Sequence, residues 1–141
     1  MPTPTDRKEL THERIVDVAA RAIRRTGYHG LGLASIMKEA GLTHGGFYAH
    51  FPSRDALLVE ATQRAGRDNG AVVAERLREA QAQGQSPFAA LVNTYLADAQ
   101  LDNAECGCVV AALASEIPRQ SEAVAGAARA RVLGLVELVR R

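Results

Sequence analysis

Apolar residues recur along this chain at helical spacing and nowhere convincingly at the spacing of a strand. Ile15, Val18, Ala19, Ala22 and Ile23 fall at i, i+3, i+4, i+7 and i+8, one stripe of an amphipathic helix. Residues 1–9, opening polar and proline-bearing, read as a tail without fixed structure, and Thr11 stands where an N-cap is wanted. Arg21, Arg24 and Arg25 suit the negative end of the helix dipole, and Gly27 supplies the stop. After the connector "YHGLGL" comes a shorter stripe, Leu33, Ile36, Met37 and Ala40, closed by Gly41. Thr43 is placed to cap a third helix, with Leu42 stapled onto Phe47. Pro52 ends that helix, because the residue before a proline is pushed out of the helical region. Ser53 caps a fourth, with Asp55 in its first turn and Leu57, Leu58, Ala61 and Ala65 on its inner face.

In the later half, "GRDNG" reads as a kink or a helix end, after which Val72 to Ala82 is helical again and Gly84 stops it. Ser86 followed by Pro87 is a strong start signal, and Leu91, Val92, Tyr95, Leu96 and Ala99 form the next stripe. "DNAECGC" is a loop. Val109 to Ile117 reads as a nearly all-apolar helix halted by Pro118. Ser121 opens the last helix, with Val124, Ala128, Val132, Leu135 and Leu138 in one stripe. The predicted fold class is all-α, without strands or internal repeats.

Composition adds limits. At 141 residues with 47% hydrophobic content the chain is long enough for a core, and 4% aromatic residues imply helices packed through small side chains. The net charge is +1, and up to Glu60 eight basic residues face seven acidic ones, so any nucleic-acid case rests on where charges sit. Cys106 and Cys108 are too few and too close for a disulfide framework, which fits a reducing compartment. "MPTPTDRKEL" has no apolar signal core, and no apolar run reaches the roughly 18–20 residues that span a bilayer. The expectation is a soluble, cytoplasmic protein.

The chemistry concentrates in "AGLTHGGFYAHFPSRDALL", Ala40 to Leu58. Two short helices joined by a tight turn, "KEAGLTHGG", match the helix-turn-helix pattern. Gly45 and Gly46 fall in the leading turn of the second helix, where free N–H groups and the positive dipole end favour phosphate. Each glycine costs about 1 kcal/mol in a helix relative to alanine. The pair either eases packing of a short helix or clears the way for a close approach by DNA. Neighbours favour the second reading: Phe47 and Phe51, four apart, face inward, so His44 and Tyr48 face outward. Thr43, Tyr48 and Arg54 can then hold phosphates, which fix docking without reading sequence.

Residues Arg14 to Leu58 resemble the DNA-binding domain of TetR-family transcriptional repressors: the Gly-Tyr junction after the first helix, the "AGLTHGGFYAHF" core and the "SRDALL" opening stand in family order. "GCVVAALASEI", Gly107 to Ile117, is similar to a helix of that family's regulatory domain. The resemblance implies a three-helix DNA-binding head, residues 1–66, followed by a helical ligand-binding and dimerising bundle, residues 67–141. It implies that an effector in the bundle interior resets the spacing of two heads on a palindromic double-stranded operator, acting as a repressor. Carried over by position, Thr43, Tyr48 and Arg54 contact phosphates and His44, Gly45 and Gly46 lie along base edges. Ser35, Ala49 and His50 complete the DNA-facing set. With few side chains able to make bidentate base pairs, specificity is expected to come from DNA shape and half-site spacing. Phe88, Leu91, Val92, Tyr95, Cys108, Val110, Leu113 and Ala114 are expected to line the effector pocket. The family pattern continues beyond Arg141, so the homodimer face is expected to be incomplete, as in a truncated product or a fragment.

Two other functions compete. One is a helical interaction protein whose helix-turn-helix no longer binds DNA. The other is a thiol sensor, because Cys106 and Cys108 flank Gly107 at the start of a predicted helix, where thiolates are stabilised. The residues favour the blander reading, since Glu105 disfavours a thiolate, a Cys-X-Cys ring is strained, and Cys108 reads as a small buried hydrophobe with Cys106 in a loop. His44 and His50, six apart, share no helix face as metal ligands would. No catalytic grouping or cofactor motif is present in the sequence, so the expectation is a non-enzyme without metal or cofactor.

Overall fold

The computed structural model describes residues 1–141 and builds them from helices and turns, with no strand. Helix α1 spans Pro4–Thr26, so the expected tail is helical and Thr11 is not its cap. The signal that overrides it is a capping box: Thr3 Oγ1 accepts from the Asp6 N–H at 3.2 Å, and the Asp6 carboxylate accepts from the Thr3 N–H at 2.8 Å. Pro4 occupies the first turn, where its missing N–H costs nothing. The predicted stripe is buried along α1, and Gly27, at φ 75°, ends the helix in the left-handed region.

Helix α2, Leu33–Glu39, buries Ile36 and Met37 and closes at Ala40 and Gly41, the latter at φ 76°. The expected third helix is instead a 3₁₀ segment, His44–Ala49. Six residues that include two glycines pay too much backbone entropy to hold a full α-turn, and Thr43 makes no side-chain cap. Helix α3, Arg54–Ala82, begins as expected, with Ser53 Oγ accepting from the Ala56 N–H at 3.1 Å. It then runs through "GRDNG" without break, so the boundary expected at residues 66/67 lies inside one continuous helix.

Ser86 caps α4, Pro87–Tyr95, and Ser121 caps α7, Glu122–Arg140, both as read from sequence. Between them lie two five-residue helices, α5, Asp98–Asp102, and α6, Val109–Leu113. The stripe expected to continue past Tyr95 breaks at Leu96, which is exposed. The long helix expected from Val109 to Ile117 stops at Leu113, and a 3₁₀ turn, Ile117–Arg119, carries Pro118.

One hydrophobic cluster of 21 residues organises the chain, and all but Val109, Leu113 and Val124 come from residues 15–65. Tyr28 seals its edge. The Tyr28 hydroxyl and the Thr62 hydroxyl are 2.7 Å apart, and Thr62 donates onward to the Leu58 carbonyl at 2.8 Å. No helix is long and apolar enough to cross a membrane.

Candidate nucleic-acid interface and the groove behind it

Phe47 and Phe51 pin the 3₁₀ segment to the core. Both are buried to within 1% exposure, their rings stack at 5.5 Å, and His12 of α1 stacks on Phe51 at 4.3 Å. The opposite side faces solvent: Thr43, His44, Gly45, Tyr48 and Ala49 are exposed, and so is Ser35 on α2. Tyr48 is 68% exposed with its ring edge against Phe47. In a 3₁₀ turn residues three apart eclipse each other, so Gly45, rather than His44, lines up with Tyr48.

The Gly46 N–H donates to the Thr43 carbonyl at 3.1 Å, and the N–H groups of His44 and Gly45 just before it make no backbone bond outside their own element. A Cβ placed on Gly45 would meet nothing within 4 Å, and one on Gly46 would make only ordinary contact with Thr43 and Met37. Internal packing therefore requires glycine at neither position. Neither has positive φ. The space beyond Gly45 is open to an outside partner.

Two expected contacts have other tasks. The Arg54 guanidinium donates through Nη2 to the Tyr28 carbonyl at 2.6 Å and the Leu31 carbonyl at 3.4 Å, which ties the α1–α2 connector to the start of α3. His50 is turned towards α1, 6.3 Å from His12 between ring centroids, with Nδ1 buried and unpartnered. Burial first, then the charges of His12 and Lys8, hold His50 below its ordinary pKa. His12 itself pairs with Glu60 at 2.7 Å.

Of the residues expected to line a pocket, the structure brings three together. A groove of about 490 Å³ lies between α3 and α7, and Tyr95, Cys108 and Val110 line it. Phe88 is 69% exposed, Ala114 is exposed, Leu113 is inside the core, and Leu91 and Val92 lie outside the lining. The actual walls, Val73 and Leu77 on α3 and Leu135 and Leu138 on α7, follow from a helix pairing that periodicity alone does not reveal. Burial, then the neighbouring Cys108, pushes the Tyr95 phenol up to about 12, so it stays protonated. Cys106 and Cys108 are both unpaired thiols.

Groove and head meet at one junction. Buried Arg24 of α1 donates to the Ala20 carbonyl at 3.0 Å and to the Gly107 carbonyl at 3.4 Å, one residue before Cys108 of the groove. Burial lowers the Arg24 pKa against the opposing pull of Cys106, Asp68, Asp17 and Glu105. Arg25 pairs with Glu105, and the His29 N–H donates to Glu116 at 3.0 Å. Gly27 is favoured here by its φ of 75°, where an L side chain is strained, and a Cβ would also have to displace the Glu116 carboxylate.

Comparison with known proteins bears on both halves. The sequence pattern of bacterial regulatory proteins of the tetR family matches residues 15–61. The HTH-type transcriptional regulator YxaF of Bacillus subtilis is 32% identical over 116 residues, which cover 79% of this chain and 59% of that protein. HTH-type regulators of Mycobacterium tuberculosis are 32% identical over 105 residues, covering 74% of this chain and 52% of theirs. The chain thus spans between about half and three-fifths of these relatives' length. A TetR-family transcriptional regulator from Agrobacterium tumefaciens superposes with a TM-score of 0.71 at 26% identity, over 92% of this chain and 67% of that one. The reduced form of NemR from E. coli shares the fold, with a TM-score of 0.66 at 22% identity over 91% of this chain and 66% of that one.

Proposed function

We propose, from the premise that this chain belongs to the tetR family of bacterial regulatory proteins, that it binds double-stranded DNA through the leading turn after Thr43. We further propose that it represses transcription until a small effector enters the α3–α7 groove. The observation that carries the DNA reading is the open space over Gly45 beside exposed Tyr48. Glycines kept where the fold itself makes no use of them fit a surface that another backbone approaches closely. The His44 and Gly45 N–H groups then meet phosphate, Tyr48 and Thr43 add hydroxyl contacts, and Ser35, His44, Gly46 and Ala49 lie along the groove edge.

The effector reading rests on the junction. A ligand that shifts Cys108–Val110 pulls on Gly107, and through its bond to Arg24 on the C-terminal end of α1. That end also carries Arg25 and Gly27 against Glu105 and Glu116, so a shift of this one segment would be passed to the head. Two such heads in a homodimer would read a palindromic operator.

Fluorescence anisotropy on a duplex selected by the protein from a randomised pool tests the DNA reading. Saturable binding should weaken linearly in log K against log salt as phosphate contacts release counterions. A helical interaction protein without DNA function would give no saturable complex even at low salt.

A further inference from the structure

We infer that the groove between α3 and α7 takes a small organic anion, an apolar body bearing one carboxylate or an equivalent group, and that Arg131 receives the charge. This deepens the effector reading above and depends on it for the link to DNA, though not for binding itself. The groove's volume, about 490 Å³, falls in the range of sites that enclose small ligands. Its walls hold Val73, Leu77 and Leu135 for an apolar body, two arginines and no acidic residue.

The two arginines differ. Arg78 is neutralised by Glu75 on its own helix. Arg131 makes no ion pair, and its Nε is buried without any hydrogen-bond partner. A buried guanidinium N–H left unpaired is costly, and a carboxylate is the group that satisfies it best, through two parallel bonds. The fold makes room for this arginine: a Cβ on Gly66 would run into the Arg131 Cδ, so glycine at that point of α3 lets the side chain lie across the helix. Tyr95, held protonated, stands on the same lining as a neutral O–H donor. A cationic ligand would be repelled here, and a neutral acceptor would satisfy the Nε hydrogen without balancing the Arg131 charge.

Isothermal titration calorimetry of the 141-residue chain with 4-phenylbutyrate, 4-phenylbutanamide and 4-phenylbutylamine separates these cases. The carboxylate should bind saturably, about tenfold tighter than the amide, and the amine should not bind. Arg131→Met should abolish the preference for the carboxylate while the melting temperature holds or rises, because a buried N–H without a partner has been removed. Gly66→Ala, which displaces Arg131 without deleting its charge, should weaken the carboxylate as well, and Arg78→Gln should not. Equal binding of all three probes, an unchanged preference in Arg131→Met, or no carboxylate binding at millimolar concentration overturns the inference. Anisotropy on the same samples keeps the two proposals apart. Intact DNA binding without carboxylate binding sinks only the anion site, and carboxylate binding without any DNA complex sinks only the regulator reading.

Discussion

The head closes its interior around Phe47, Phe51, Tyr28 and Met37, none more than 1% exposed, while the later helices leave Phe88, Leu96, Leu101 and Leu133 each more than two-thirds exposed. The same contrast appears in polar groups. In the head, Tyr28, Thr62 and Arg54 find partners inside the fold and only a neutral-ring nitrogen, His50 Nδ1, is buried without one, whereas in the later helices the group left without one is a guanidinium N–H, Arg131 Nε. A part that must present fixed geometry to a long rigid partner gains from a sealed core. On the proposed function, a part that responds to a small molecule gains from a groove whose walls can repack. Arg24 joins the two by reaching from the sealed side to Gly107 on the open one.

The largest test of this contrast is a pair of phenylalanines. Phe47→Ala should cost about 3–5 kcal/mol and unfold the head, whereas Phe88→Ala should stay within about 0.5 kcal/mol, as read by urea denaturation followed by circular dichroism. Equal costs would mean that the two regions do not differ as described. Next, Arg54→Ala should remove about 1–2 kcal/mol by freeing the Tyr28 and Leu31 carbonyls, with faster amide exchange confined to the α1–α2 connector. Loss of DNA affinity with unchanged exchange would return Arg54 to the phosphate role.

Tyr28→Phe should cost about 1 kcal/mol in the same denaturation assay, because Thr62 keeps its bond to Leu58 and loses only one partner. The smallest effect is in pH. His50 has its folded pKa below the unfolded value, so the unfolded chain takes up the proton first. Stability of the head should therefore fall as pH drops below about 6.5 and level off below the folded pKa. His50→Gln should flatten that part of the urea-midpoint curve; an unchanged slope would place the acid sensitivity elsewhere.

Sequence told most where signals are local. Ser53, Ser86 and Ser121 cap the helices expected of them, and Gly27, Gly41 and Gly84, all at positive φ, stop theirs, because a cap is decided within four residues. It told less where a distant partner decides. Arg54 meets carbonyls 26 and 23 residues away, and Arg131 meets Gly66 on another helix. Of the α4 residues expected as pocket walls, Phe88, Leu91, Val92 and Tyr95, only Tyr95 reaches the groove, whose main walls are α3 and α7. The capping box at Thr3 and Asp6 is a local signal too, but the polar, proline-bearing composition of the same residues points away from a helix.

Gly45→Ala set beside Gly126→Ala is the most direct test of the DNA-facing turn. Both glycines are open to a Cβ and neither has positive φ, so each alanine should keep the fold or stabilise it by up to about 1 kcal/mol. Anisotropy on the selected duplex should show Gly45→Ala weakening DNA binding about tenfold, the equivalent of roughly one lost phosphate contact, while Gly126→Ala binds as the parent does. Equal affinities for the two variants would contradict the placement of that turn against DNA.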